Sequence, residues 1–387
     1  MNTVANPAVP EAAPSLRERW WALRDRWLAS PRFRRAAAAF PLTRPVARRR
    51  ARQLFDLVAG FVYSQVLYAC VQLRLFEQLA GGPLTLEALA ARLGLGSEAL
   101  LRLLEAAAAL ELVQPRAGGR WGLGPLGAPM VGNTAVAAMV EHHRALYADL
   151  RDPVALLRQE SRGLPPGGEL ARYWPYAAYE TPGGLPDTAV AAYSALMSAS
   201  QPLVAEEILG AYPVARHRCL LDVGGGEGGF LVSAAAAAPR LRLMLFDLPA
   251  VAQRATPRLA QAGLAGRSQV CGGDFRTEPL PQGADLVTLV RVVHDHDDAT
   301  ALTLLRAVHA ALPPGGVLLL AEPMAGTAGA EAMGGAYFGF YLLAMGRGRP
   351  RTRARLVELL QQAGFGRVRA LGTRLPLQTQ LLSAQRS

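Results

Sequence analysis

Four regimes of hydrophobic patterning follow one another along the chain. In residues 1–50 a Pro/Ala-rich start, read as disordered, leads into Leu16, Trp20, Leu23 and Trp27, which fall at helical spacing among Arg17, Arg19, Arg24 and Arg26. Over 51–135 the apolar positions predict a long helix over 54–80 that ends before Pro83. Shorter helices follow over 86–93 and 97–112, with Ser97 as the N-cap of the second. Arg116-Ala-Gly-Gly-Arg-Trp121 then reads as a tight turn between two short strands, which completes a winged-helix pattern. Residues 136–212 read as mostly helical, with one loop around 163–168. They hold Glu141-His-His143 and a Trp/Tyr cluster over 173–179, a candidate cover for a substrate. From 213 to 387 apolar runs at 219–223, 241–246, 284–290 and 317–321 are separated by glycine-rich turns and helical segments. That alternation predicts an α/β domain with a Rossmann-like, doubly wound, mostly parallel sheet, whose ligands sit at the carboxyl ends of the strands.

Composition fits this division. The 387 residues are 51% hydrophobic and 18% charged, enough to bury more than one core. Cys70, Cys219 and Cys271 stand far apart in no metal-ligand spacing, so neither a disulfide nor a zinc site is expected, and a reducing cytoplasm fits. The start lacks a basic head followed by an apolar run, so no signal peptide is expected. The apolar stretch 54–70 is interrupted by Asp56 and Gln65. It reads as a buried helix, too short and too polar for a membrane span.

The net charge of +11 is uneven, and all of its cationic side chains except histidine are arginine. Residues 1–52 hold twelve arginines against Glu11, Glu18 and Asp25, while the rest of the chain is nearly balanced. A basic helix with tryptophans can lie in a membrane interface or pack on a partner subunit, and the pattern leaves both open. The winged-helix pattern suggests DNA binding, but its second helix offers only Arg102 among several acids, so a scaffold and dimer module is the preferred reading and no nucleic-acid partner is expected.

The chemistry concentrates in the last half. Leu220-Leu-Asp-Val-Gly-Gly-Gly-Glu-Gly-Gly-Phe230 follows a strand and opens a helix, where glycines let backbone N–H groups approach a ligand closely. Gly224, Gly226 and Gly229 also satisfy the dinucleotide pattern. Asp222 gives instead Asp-x-Gly-x-Gly-x-Gly, the spacing typical of adenosylmethionine sites. Asp222 and Glu227 would repel a pyrophosphate but not a sulfonium carrying an ammonium group. Asp247 ends the next strand and can accept from ribose hydroxyls; Asp274 can accept from an adenine amino group and Phe275 can pack on its ring.

Arg291-Val-Val-His-Asp-His-Asp-Asp298 sits at the same face. As a metal site it is unfavourable, because consecutive residues rarely converge on one ion, and no metal is expected. Asp297 or Asp298 can cap a helix over 299–312, which leaves His294 unexplained. His294 is the candidate general base for proton removal from an acceptor hydroxyl. Glu322, one strand along, is the candidate that fixes its tautomer. Met333, Tyr337, Phe340, Tyr341, Ala344 and Met345 cluster at helical spacing after Glu322, and Tyr337, Phe340 and Tyr341, with Met197, are candidates for an apolar substrate pocket.

In this order the motifs Asp-Val-Gly-Gly-Gly, Phe-Asp-Leu-Pro, Gly-Asp-Phe and His-Asp-x-x-Asp resemble the small-molecule S-adenosylmethionine O-methyltransferases typified by the plant caffeate and flavonoid enzymes. The resemblance covers roughly 51–387. It implies a class I methyltransferase domain behind a winged-helix dimerisation domain, a homodimer, adenosylmethionine on Gly224, Asp247, Asp274 and Phe275, and His294 as base. Two departures stand out. Val290 and Arg291 occupy the place of the plant Lys-Trp, and Pro350 that of a second glutamate bracketing the histidine, which leaves His294 one acidic neighbour. Gly60-Phe-Val-Tyr-Ser-Gln-Val-Leu-Tyr-Ala-Cys70, Glu141-His-His143 and Ala336-Tyr-Phe-Gly-Phe-Tyr-Leu-Leu-Ala-Met-Gly346 resemble more narrowly the bacterial acyclic-carotenoid O-methyltransferases, of the hydroxyneurosporene and demethylspheroidene type. That likeness implies methylation of the tertiary C1 hydroxyl of a long polyene. A membrane-dissolved substrate would also explain the Trp/Arg arm, through peripheral contact of residues 16–52 with the inner or photosynthetic membrane.

Overall fold

The computed structural model describes residues 15–164, 167–173, 187–377 and 379–387. The chain divides into two compact units, 1–127 and 128–387.

The first unit is helical with a small sheet. A capping box between Ser15 and Glu18 starts the helix Leu16–Ala29, and Ser30 caps Pro31–Ala39. The next helix runs Arg44–Gln72. It breaks at Arg74, whose φ is +52°, before Leu75–Leu79, so the expected single helix over 54–80 is two. The expectation that 54–70 is buried is also corrected. Within the long helix only Cys70 and Val71 are buried, and Leu54, Phe55, Leu57, Val58, Phe61 and Val62 are exposed. By length and composition this helix is long and apolar enough to cross a membrane.

Leu86–Leu93 and Ser97–Ala109 form the helix-turn-helix, with Gly96 rather than Ser97 at the N-cap. Strands β1 (Leu84–Thr85), β2 (Val113–Arg116) and β3 (Arg120–Leu123) pair antiparallel in the order β1-β3-β2, which makes the wing. Leu75, Phe76, Leu89, Leu100, Leu104 and Val113 form the core of this unit.

The second unit is a seven-stranded sheet flanked by helices. Its strands are β4 (Cys219–Val223), β5 (Arg242–Asp247), β6 (Ser268–Gly272), β7 (Leu286–Val290), β8 (Val317–Glu322), β9 (Phe365–Leu371) and β10 (Gln380–Arg386). Their order is β6-β5-β4-β7-β8-β10-β9, parallel except for β10, which runs antiparallel to both β8 and β9. β4 and β7 are buried at every residue, as strands covered on both faces require. Two buried apolar clusters, one on each face, hold the sheet between its helices. β9 and β10 have no unbroken apolar run to mark them in the sequence, because each carries arginine or other polar residues.

Parallel strands place the ends of β4, β5, β6, β7 and β8 at one edge, where the glycine turn, Asp247, Asp274, the His294 turn and Glu322 lie. The Trp/Tyr cluster over 173–179 lies outside the described residues, apart from the backbone of Tyr173 at the end of Glu169–Tyr173.

Candidate active site

The turn after β4 is built on glycine. Gly224, Gly226 and Gly228 have φ of +69°, +59° and +78°, a left-handed region costly for other residues. A Cβ on Gly224 would stand 2.7 Å from Val292 Cγ2, so that position also demands a bare backbone. Gly226 N donates to Asp247 Oδ2 at 2.7 Å and Leu248 N to Asp247 Oδ1 at 2.7 Å, which fixes the acid at the tip of β5. Burial pushes the Asp247 carboxyl up to about 6. A cavity opens over this turn, lined by Gly224–Gly226, Asp247, Asp274, Phe275 and Met197, together with Arg291, Asp295, His296 and Met345.

Two expected cofactor residues are placed differently. Asp222 does not line the cavity. It is 1% exposed beneath the glycine turn, where Oδ1 accepts from Thr288 Oγ1 at 2.6 Å and Oδ2 has no hydrogen-bond partner among the described residues. Burial pushes its carboxyl up to about 7. Asp274 does line the cavity, but Arg276 grips it, with Nη2 2.6 Å from Oδ2 and Nε 3.0 Å from both oxygens. Burial opposes ionisation there, and the Arg276 hydrogen bonds still hold the carboxyl below its usual range. Glu227 is bridged to Arg254 at 2.9 Å and Arg258 at 3.4 Å, which offsets the acid beside the glycine turn.

His294 is 9% exposed in a short 3-10 turn, Val293–Asp295, just past β7. Its Nδ1 is hydrogen-bonded to Glu322 Oε2 at the end of β8. Glu322 Oε1 accepts from Val292 N at 3.0 Å and Val293 N at 2.7 Å, so one buried carboxylate holds both the ring and the turn that carries it. The expectation of a single acidic neighbour is corrected. Asp295 Oδ1 lies 3.1 Å from His294 Nε2, buried and with no hydrogen bond of its own among the described residues. Burial disfavours the charged imidazole, but the Asp295 and Glu322 carboxylates outweigh it and raise the His294 pKa above its ordinary value. Burial pushes Asp295 up to about 6 and His296 down to about 4.

Arg351, 4% exposed, was not expected in the site. Its Nη1 donates to the Val293 carbonyl at 2.8 Å, Nη2 to the His296 carbonyl at 2.6 Å and Nε to Asp298 at 2.8 Å, so it clamps the turn from both sides of His294. Beside it, Gly348 has φ +88°, and a Cβ there would stand 2.3 Å from the His294 carbonyl. Asp297 caps the helix Asp298–Ala311 through Thr300 N at 2.8 Å.

The expected pocket aromatics divide. Ala332–Tyr337 is a wide π-helical turn leading into the helix Phe338–Met345, and this shifts the 3.6-residue register read from the sequence. Phe340 is 39% exposed and does not line the cavity. Tyr341 is buried in the helical layer, its hydroxyl 2.8 Å from His142 Nε2, and Tyr337 Oη lies 3.0 Å from His143 Nε2. The ring that meets His294 edge-on is Phe338, at 6.1 Å between centroids. Among the described residues no group of three His, Cys, Asp or Glu is arranged to hold a metal ion.

Comparison with known proteins agrees with this geometry. Residues 152–366 match the O-methyltransferase domain family, and residues 55–140 match the O-methyltransferase dimerisation domain. The chain is 47% identical over 345 residues to demethylspheroidene O-methyltransferase of Cereibacter sphaeroides, covering 89% of each chain. It is 42% identical to the protein of that name in Rhodobacter capsulatus, covering 92% of this chain and 88% of the relative. Among solved structures, the S-adenosylmethionine-dependent methyltransferase SibL superposes with a TM-score of 0.71 at 26% identity, over 86% of this chain and 98% of that one. A glycine turn shaped for close backbone approach, an acid at the next strand tip and a dimerisation module together make this chain a member of the S-adenosylmethionine-dependent O-methyltransferase family.

Proposed function

We propose that this enzyme methylates the tertiary C1 hydroxyl of an acyclic carotenoid, with His294 as general base and no metal ion. The observation that carries the base is the buried His294 ring, held by Glu322 in the turn whose next residues, Asp295 and His296, line the cavity. The substrate class rests on the 47% and 42% identity to the two demethylspheroidene enzymes.

The residues present fit S-adenosylmethionine. The bare backbone of Gly224 and Gly226, the Asp247 carboxylate and Phe275 line the cavity. Once bound, S-adenosylmethionine supplies a methyl group on a positively charged sulfur that is already a good leaving group. The chain must then align the acceptor oxygen and take its proton as the carbon–oxygen bond forms. His294 Nε2 receives that proton. Glu322 keeps the other nitrogen protonated beforehand and stabilises the imidazolium afterwards, with Asp295 adding a second negative charge. An aliphatic alcohol is a weak acid, so proton removal and methyl transfer are concerted. Met197 and Met345 line the cavity, and their flexible apolar side chains suit a polyene.

An acceptor of this kind dissolves in lipid, so the enzyme meets it at a membrane surface. The two subunits of a homodimer would join through the dimerisation module, which carries the exposed apolar face of the helix Arg44–Gln72. Incubation with labelled S-adenosylmethionine and a 1-hydroxy carotenoid tests the assignment. Label in the carotenoid supports it, and label only in a phenolic or polyketide acceptor overturns it.

A further inference from the structure

We infer that residues 15–52 form a docking surface for anionic lipid bilayers, an inference that rests on the lipid-dissolved acceptor proposed above. The helices Leu16–Ala29 and Pro31–Ala39 bury no residue. Trp20 is 60% and Trp27 55% exposed, and Leu16, Phe33, Phe40 and Leu42 are exposed beside them. Scattered exposed apolar residues are ordinary, but a run of this density marks an interaction surface.

The same segment carries twelve arginines, from Arg17 to Arg52, against Glu18 and Asp25. Both acids are engaged, Glu18 in the capping box with Ser15 and Asp25 with Arg24 at 2.7 Å. The guanidinium of Arg17 lies 4.5 Å from the Trp21 ring and that of Arg24 5.9 Å from the Trp20 ring. Cation and indole are therefore presented side by side, the pairing that suits a headgroup layer, where phosphate and the edge of the hydrocarbon lie at nearly one depth.

Charge selects the occupant. A second copy of this chain would have to offer an acidic face, yet its other 335 residues carry 29 arginines against 27 acids. The arm also lies outside both the dimerisation match, 55–140, and the catalytic match, 152–366. A nucleic acid would satisfy the arginines but leave the exposed Leu, Phe and Trp side chains without an apolar partner. An anionic bilayer satisfies both.

The test is co-sedimentation of the full chain with vesicles that contain no carotenoid. One set is phosphatidylcholine alone and the other about one-third phosphatidylglycerol. Binding to the anionic set is expected to be at least about tenfold stronger, and to be reversed by about 0.5 M salt, which screens charges beyond a few ångströms. Two variants, W20A/W27A and R17Q/R24Q/R48Q/R49Q, should each lose about tenfold in binding. Both should keep the wild-type dimer mass and wild-type turnover of detergent-dispersed acceptor. Equal binding to the two vesicle types, retention through salt by an inserted Arg44–Gln72 helix, or a changed oligomer mass in the variants would overturn the inference. Because the vesicles hold no acceptor, its failure leaves the methyl-transfer reading intact. Failure of carotenoid turnover would in turn leave the vesicle result standing.

Discussion

Asp295 Oδ1 lies 3.1 Å from His294 Nε2, the nitrogen on the opposite side of the ring from Glu322. The His294 ring is thus set between two carboxylates, one at the end of β8 and one next to it in its own turn. This arrangement favours the imidazolium, so the neutral ring that a general base needs is reached only at higher pH.

A pH dependence follows from that relationship. A general base works in its neutral form, and the His294 pKa is raised above its ordinary value. The rise of kcat/KM with pH should therefore have its midpoint above about 6.5, the value of an unperturbed histidine. Asp295→Asn removes the first charge that raises it, so the midpoint should move to lower pH, while maximal turnover falls because the imidazolium is less well stabilised. A pH–rate profile of both proteins checks this. An unchanged midpoint in the variant would show that Asp295 does not act on the base.

Glu322 serves the ring and the turn together. Glu322→Gln retains an oxygen for the Val292 and Val293 amides but no longer stabilises an imidazolium. It should lower kcat by about 10²–10³ and leave the dissociation constant of S-adenosylhomocysteine within about twofold. Steady-state kinetics with calorimetric titration of the product separates the two effects. Equal losses in both would assign Glu322 a purely structural part.

The clamp by Arg351 predicts a stability effect. Arg351→Met leaves two carbonyls without their charged donor, at a cost of about 2–4 kcal/mol. Chemical unfolding should show this as a lower midpoint. Arg351→Lys should recover only part of it, since one ammonium cannot span Val293, His296 and Asp298 as the guanidinium does.

Two glycines in the first turn should respond differently to the same change. Gly224→Ala meets both a positive φ and Val292 Cγ2 at 2.7 Å, whereas Gly226→Ala meets the positive φ alone, with nothing within 4 Å. Gly226→Ala should cost about 1–2 kcal/mol of backbone strain. Gly224→Ala should cost more, and weaken S-adenosylhomocysteine binding at least about tenfold beyond it. Thermal unfolding and titration of the two variants give the comparison.

Much of the catalytic unit is legible in the sequence because each of its parts is local. β4 reads as an unbroken apolar run, the glycine turn follows it directly, and Asp247 and Glu322 end their own strands. What was illegible depends on contacts between distant segments. Nothing local to Arg351 shows that it will be buried against the His294 turn, 57 positions away by number. The pairing of Asp274 with Arg276 was within reach, because a cation two residues from an acid is visible, but the geometry that joins them is not. A helical period read from the sequence does not carry through Ala332–Tyr337, where the π-helical turn changes the register; it is Phe338 that meets the His294 ring, while Phe340 is 39% exposed. The apolar stretch 54–70 reads as a buried helix, yet within one chain Phe55, Leu57, Val58, Phe61 and Val62 are exposed, and these positions fall in the dimerisation match.

Single-turnover kinetics of His294→Ala decides whether that ring removes the acceptor's proton during methyl transfer. Transfer of labelled methyl from S-adenosylmethionine to a 1-hydroxy carotenoid should slow by about 10²–10⁴, with the affinity for S-adenosylhomocysteine unchanged. Transfer at a rate close to that of the wild-type enzyme would contradict it.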